Sequence, residues 1–148
     1  MASVADGIMD LHAGRYERVI ERLGPTARSH LYESRLPIGG TSYVIRWLVG
    51  NAWEHRSQPD SASVYYELAL EVGRSPDVDF YARAVTLPYA LQRLVVVNAR
   101  LGRYEAAGKR WEELQRLVAQ PDDEFRPLMT QARVELAHAL GREGPGGR

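Results

Sequence analysis

The residues able to do chemistry are few, and their spacing is wrong for it. Four histidines, His12, His30, His55 and His138, are the nitrogen ligands on offer. No two stand three or four residues apart, the spacing that brings two ligands onto one helix face. Glu135 three residues before His138 makes only a weak pair. Ser29 and His30 are a nucleophile and a base by type, but adjacent residues do not face each other on a helix, and no Gly-x-Ser-x-Gly elbow is present. Gly39-Gly40 is not followed by Lys and Ser or Thr, so it is not a phosphate-binding loop. Glu17, Glu21, Glu112 and Glu113 read as charges on solvated helix faces. The chain has no cysteine, which removes disulfides, thiolate catalysis and Cys-ligated zinc. No enzyme activity, metal or cofactor is expected.

What remains is a question of scaffold. The 148 residues suffice for one domain with a real core, and a hydrophobic fraction of 45% with 26% charged residues is ordinary for a globular protein. Nineteen basic and nineteen acidic residues cancel, without the basic excess that phosphate binding calls for, so no direct contact with nucleic acid is expected. No apolar run approaches the roughly 18 residues of a membrane span, and Met1 to Asp6 lacks the pattern of a signal peptide. A cytoplasmic location without membrane contact is the expectation.

Apolar residues recur at three and four positions almost throughout, the mark of amphipathic helices. Val4, Ile8 and Leu11 form the first stripe, ended by Ala13-Gly14. Tyr16, Val19, Ile20 and Leu23 form the second, which Gly24-Pro25 should stop. Thr26 to Leu36 can be read as a short helix capped at Thr26, residues 24–42 being the stretch the pattern settles least. Pro37-Ile38-Gly39-Gly40 reads as a loop. Tyr43, Val44, Trp47, Leu48 and Trp53 mark the next helix, with Thr41 or Ser42 as its cap. After a turn at Ser57-Gln58-Pro59-Asp60, Val64, Tyr65, Leu68, Ala69 and Val72 mark another, closed by Gly73. Ser75-Pro76-Asp77 has the residues of a helix start.

From Phe80 to Leu101 the pattern stays helical, with a kink or break expected near Leu87 because Pro88 removes an internal hydrogen bond. Leu91, Leu94 to Val97 and Leu101 are apolar almost all round, so this helix needs cover on several sides. Tyr104, Ala107, Trp111, Leu114 and Val118 follow as one stripe, which makes Trp111, like Trp53, a core residue. Pro121-Asp122-Asp123-Glu124 opens a last helix carrying Leu128, Val134, Leu136 and Leu140. No alternating strand pattern appears. The reading is all-α, about seven to eight helices in a single domain over 1–143, with 144–148 as a disordered tail.

The chain also repeats itself. Gly14-Arg15-Tyr16-Glu17 recurs as Gly102-Arg103-Tyr104-Glu105, 88 residues on. Pro88, Gln92, Val95, Leu101, Gly102 and Arg103 recur 39 residues later as Pro127, Gln131, Val134, Leu140, Gly141 and Arg142. Pro76-Asp77-Val78-Asp79-Phe80 is echoed by Pro121-Asp122-Asp123-Glu124-Phe125. Leu101-Gly102-Arg103-Tyr104-Glu105-Ala106-Ala107 resembles the helix-turn-helix junction of the tetratricopeptide repeat (TPR), whose unit is two antiparallel helices over about 34 residues. Ala13-Gly14-Arg15-Tyr16-Glu17 resembles the same junction. In the middle unit Gly50, Ala62, Tyr66 and Ala69 fit the family's helix contacts, while Ser57-Gln58-Pro59 stands in for the Gly-x-Tyr turn. The final unit supplies one helix only.

That resemblance implies an α-α superhelix of stacked antiparallel hairpins, whose first helices line a concave groove for a peptide or partner protein. In that register Trp47, Asn51, Glu54 and His55 face the groove, as do Tyr89, Gln92, Arg93, Val96 and Arg100, and then Gln131, Glu135 and His138. Arg93 and Arg100 with Trp47 could hold a carboxylate, since a guanidinium donates two parallel hydrogen bonds. The family's Lys-Asn carboxylate clamp is matched only at Asn51, so its specificity is not implied. The expected function is a protein-protein interaction module. The alternative is a sensor or oligomerisation region of a bacterial transcriptional regulator whose DNA-binding domain is not in this chain. Val4, Ile8 and Leu11 could be covered by a second copy in a homodimer.

Overall fold

In the computed structural model the described residues are 3–29, 39–74 and 80–141, the side chains of 39–41, 80–83 and 85 excepted. Among them are seven helices and no strand. They are α1 (Val4–His12), α2 (Tyr16–Arg28), α3 (Gly39–His55), α4 (Pro59–Arg74), α5 (Phe80–Arg100), α6 (Tyr104–Leu117) and α7 (Arg126–Gly141). The all-α class and the expected number of helices are therefore correct. No helix among the described residues is long and apolar enough to cross a membrane. The chain divides into two compact units, Met1–Ala90 and Leu91–Arg148, with the boundary inside α5.

Three junctions share one geometry. After α1, the Gly14 amide donates to the Leu11 carbonyl and the Arg15 amide reaches back to Asp10. After α3, Ser57 donates to Glu54 and Gln58 to Trp53; after α5, Gly102 donates to Ala99 and Arg103 to Asn98. These paired bonds are the Schellman closure, which satisfies the last carbonyls of a helix and needs a left-handed residue just beyond it. Gly14, Ser57 and Gly102 have φ of 70°, 57° and 71°. The next helix begins at once, with Val19, Ala62 and Ala107 donating to the carbonyls of Arg15, Gln58 and Arg103. Those three donors are all fully buried. Pro59, the first residue of α4, has no amide to leave unsatisfied there.

The first unit is built on α3. Val19, Leu23 and Ala27 of α2, Ile45, Leu48, Val49 and Ala52 of α3, and Tyr65 of α4 form its buried cluster. Val4, Leu11, Tyr16, Ile20, Val44, Trp47, Trp53 and Leu68 pack around it, so Trp53 does belong to the core. Two close crossings set the hairpins: a Cβ on Gly7 would lie 2.5 Å from Leu23 Cδ1, and one on Gly50 would lie 2.8 Å from Tyr66 Cε1. Each glycine stands in the same place relative to its turn. In the second unit Val95, Val96 and Ala99 of α5, Ala107 of α6, and Ala132, Leu136 and Ala139 of α7 make the core, with Tyr104 and Trp111 against it. The buried Leu91 and Leu94 of α5 have Thr130 and Arg133 as their counterparts on α7, both exposed. The exposed side of α7 mixes polar residues with Val134 and Leu140, which are 46% and 51% exposed.

Four boundaries differ from the sequence reading. Gly24-Pro25 does not stop α2, which continues to Arg28. Pro25 forgoes one amide donor, but the extra turn buries Gly24 and Ala27 in the core, and burial outweighs the missing bond. Pro88 likewise leaves α5 unbroken from Phe80 to Arg100. Gly73 lies inside α4, buried against Leu87 and Thr86, rather than after it. The loop expected at Pro37–Gly40 yields at its end to α3, which starts at Gly39. Pro37-Ile38, Ser75-Pro76-Asp77, most of Thr26–Leu36 and the 144–148 tail lie outside the described residues.

Candidate functional site

α3 is held from below by an arginine. Arg46 sits within the run Tyr43-Val44-Ile45-Arg46-Trp47-Leu48-Val49 and is 1% exposed. Its Nε donates to the Ala27 carbonyl at 3.0 Å and its Nη1 to the Leu68 carbonyl at 3.3 Å. One buried cation thus ties α3 to the last turn of α2, whose carbonyls have no intrahelical donors, and to the body of α4. On the neighbouring helix Arg28 Nε donates to the Tyr65 hydroxyl at 2.7 Å, and the guanidinium carbon lies 5.6 Å from the centre of that ring. The sequence reading did not single out Arg46. The available signal was a charge in the middle of an apolar seven-residue run.

One face of α3 carries Tyr43, Trp47 and Asn51 at four-residue steps. Tyr43 is buried, and Trp47 and Asn51 are half-buried. The Tyr43 hydroxyl, Trp47 Nε1 and Asn51 Nδ2 are covered and have no hydrogen-bond partner. Burial pushes the Tyr43 hydroxyl's pKa far above its ordinary value, and Tyr89 nearby adds to the shift. At the end of the helix His55 is exposed, but its ring stacks on Tyr16 with centroids 4.8 Å apart and planes 2° from parallel. Glu54 accepts from the Tyr66 hydroxyl at 2.9 Å. Of the first-unit candidates, Trp47 and Asn51 therefore keep partly open faces with unused donors. His55 is engaged in the α2–α3 junction, and Tyr89 is half-buried with interactions of its own.

The second-unit candidates are bound to one another. Gln92 is fully buried, and its Nε2 donates to the Leu128 carbonyl and to Gln131 Oε1, each at 3.2 Å. Arg93 Nη1 also donates to Gln131 Oε1, at 3.4 Å. Arg100 reaches Glu135 Oε1 with Nη2 at 2.6 Å and Nε at 3.2 Å. Val96 is fully buried in the α5–α7 core. The expectation that Gln92 and Val96 face a groove is corrected by this burial: an apolar face that α7 covers is not open to a partner. Arg93 and Arg100, expected to hold a carboxylate, are satisfied from α7 by Gln131 and Glu135. His138 lies exposed on the other side of α7 from Leu136.

A separate polar cluster closes the α1–α2 hairpin. Asp10 is 4% exposed and takes Arg15 Nε at 2.6 Å and Arg22 Nη1 at 3.3 Å. The Arg15 hydrogen bond holds its carboxyl below the usual carboxylate range, against the opposing effect of burial. This pairing is architectural, because both arginines and the acid belong to the same turn and its two helices. Among the described residues no three His, Cys, Asp or Glu side chains come together as a metal site would need. No protein-family model, curated protein or solved structure matches the chain.

Proposed function

We propose that the chain is a non-catalytic interaction module of TPR-like helical hairpins, and that the Trp47–Asn51 face of α3 receives a peptide or a partner protein. The observation that supports it most is the threefold recurrence of one turn geometry at Gly14, Ser57 and Gly102. Repeated hairpins bury their apolar faces against each other and leave one helix face in each free for recognition. Trp47 brings aromatic area to such a face, and Asn51 brings a donor. Aromatic anchors carry a large part of the affinity in interfaces of this kind.

The test is a binding titration with peptides selected against the immobilised full chain. Trp47→Ala should lower affinity at least tenfold, with the helical circular-dichroism signal unchanged. A chain that selects no peptide and forms no complex with any protein offered would sink this reading.

A second reading has one observation in its favour. Ile8 and Met9 on α1 are 40% and 65% exposed, and apolar surface there suits contact with a second copy, as in the oligomerisation region of a regulator. Light scattering across a concentration series decides it. A dimer lost in Met9→Glu supports the reading, and a monomer at all concentrations ends it.

A further inference from the structure

Residues four, three and four apart share one line on a helix, and one such line lies farthest from the buried side. On α6 it is Glu105, Lys109, Glu112 and Arg116, and on α4 it is Asp60, Val64, Glu67 and Glu71. Both are charged, as a helix face in water should be. Val64 and Leu117, 56% and 46% exposed, are single apolar residues among charged neighbours, and scattered ones of that kind are ordinary. The helices α1 and α7 are built otherwise. The outermost line of α1 is Ala5, Met9 and His12, and that of α7 is Thr130, Val134, Ala137 and Gly141. Neither contains Asp, Glu, Lys or Arg. Met9 is 65% exposed with Ile8 at 40% beside it, and Val134 is 46% exposed with Leu140 at 51% beside Ala137. A stacked helical array stays soluble by turning polar faces outward on its terminal helices. On these two helices the outward faces are apolar.

The charges that flank them say what covers them. Apart from His12, Asp6 is the one ionisable residue exposed on α1. On α7, Arg126 is taken by Asp123 at 2.7 Å, while Arg133 is exposed and makes no ion pair among the described residues. Packing α1 on α1 of a second copy would gather two Asp6 carboxylates at one contact. Packing α7 on α7 would gather two Arg133 guanidinia. Only α1 on α7 brings opposite charges together, and like charges at a contact are what suppress a wrong pairing. We propose that α1 of one copy of the chain packs on α7 of another, head to tail. Ile8 and Met9 meet Val134, Ala137 and Leu140, and Asp6 faces Arg133. The inference rests on the second-copy reading above and adds the surface that α1 meets. Two unlike surfaces leave one of each free after the first contact, so association continues beyond a pair or closes into a ring.

Light scattering of the full chain across a concentration series reads the contact, with Met9→Glu and Val134→Glu blocking one side each. Both side chains are exposed, so thermal melts should match the parent; Leu140→Glu replaces Val134→Glu if they do not. The parent's mass should rise with concentration, and each variant alone should stay monomeric. Mixed in equal amounts, Met9→Glu supplies an intact α7 and Val134→Glu an intact α1. The mixture should therefore form pairs of one variant with the other and nothing larger. A mixture that stays monomeric overturns the head-to-tail contact. If association survives Val134→Glu and is lost in Met9→Glu, α1 meets α1, and the proposal falls while the second-copy reading stands. Association that survives Met9→Glu leaves α1 out of the contact and ends both, as does a parent that is monomeric throughout.

Discussion

The ring of Tyr66 rests on the backbone of α3 at Gly50, where a Cβ would lie 2.8 Å from Cε1 and 2.9 Å from Cδ1. Tyr66 is fully buried and its hydroxyl is tied to Glu54, so the ring cannot swing away. Gly50→Ala should therefore destabilise the fold by about 1–3 kcal/mol, the usual range for an overpacked core. Gly108 is the internal control. It also sits inside a helix, α6, but a Cβ there meets nothing within 4 Å. Gly108→Ala should stabilise by about 0.5–1 kcal/mol through helix propensity alone. Urea denaturation of both variants checks the pair, and equal shifts in the same direction would contradict the close crossing.

The three Schellman turns make opposite predictions for the same kind of exchange. Gly102 sits at φ 71°, so Gly102→Ala should cost about 1–2 kcal/mol from the left-handed backbone. Ser57 occupies the corresponding position at φ 57° and bears that strain already. Ser57→Gly should accordingly stabilise the chain or leave it unchanged, by up to about 1 kcal/mol. Thermal melts of the two variants should move apart. A loss of stability in Ser57→Gly would mean that the Ser57 side chain contributes something besides backbone geometry.

The hairpins were readable because their causes are local. Gly14, Gly102 and the residues around them need no distant partner to specify the turn, and the substitution at Ser57-Gln58-Pro59 was visible as a variant of the same junction. Gly24, Gly73, Pro25 and Pro88 misled for the complementary reason. A glycine or proline is a local liability, and whether it ends a helix depends on what the continuing turn buries. Ala27 and Gly73 gain packing that local pattern does not record. The face of α3 was legible in outline, since Trp47 and Asn51 stood out by type and spacing. The burial of Gln92 and Val96 was not, because a register shared with another helix face does not say which neighbour comes to cover it. Arg93 and Arg100 looked like free anchors until α7 supplied Gln131 and Glu135.

Arg46 makes a stronger claim on stability than any surface ion pair here. Its guanidinium is buried and serves the carbonyls of Ala27 and Leu68. Arg46→Met keeps most of the apolar length but leaves both carbonyls without that donor. The expected loss is about 3 kcal/mol, with Arg46→Lys intermediate because one ammonium cannot reproduce the guanidinium fork. By contrast Arg126→Ala, which breaks an exposed pair with Asp123, should change stability by less than about 1 kcal/mol. Hydrogen exchange should also localise the Arg46→Met effect to the last turn of α2.

Asp10 gives the fold a dependence on pH whose sign follows from its partners. The Arg15 hydrogen bond, with the charges of Arg15 and Arg22, holds its pKa below the ordinary carboxylate value in spite of burial. The folded state therefore holds the proton less tightly than the unfolded chain does. The stability from this pairing is fully present above the unfolded pKa and is lost as pH falls through the lower, folded value. Asp10→Asn removes the titrating group and leaves Arg15 and Arg22 facing a neutral amide. The parent should melt higher than Asp10→Asn from pH 5 to 7, and the gap should close progressively below pH 4. Were the gap instead to persist undiminished at pH 2, the Asp10 carboxylate would not be the source of the difference, and the contact with Arg15 would count as packing rather than charge.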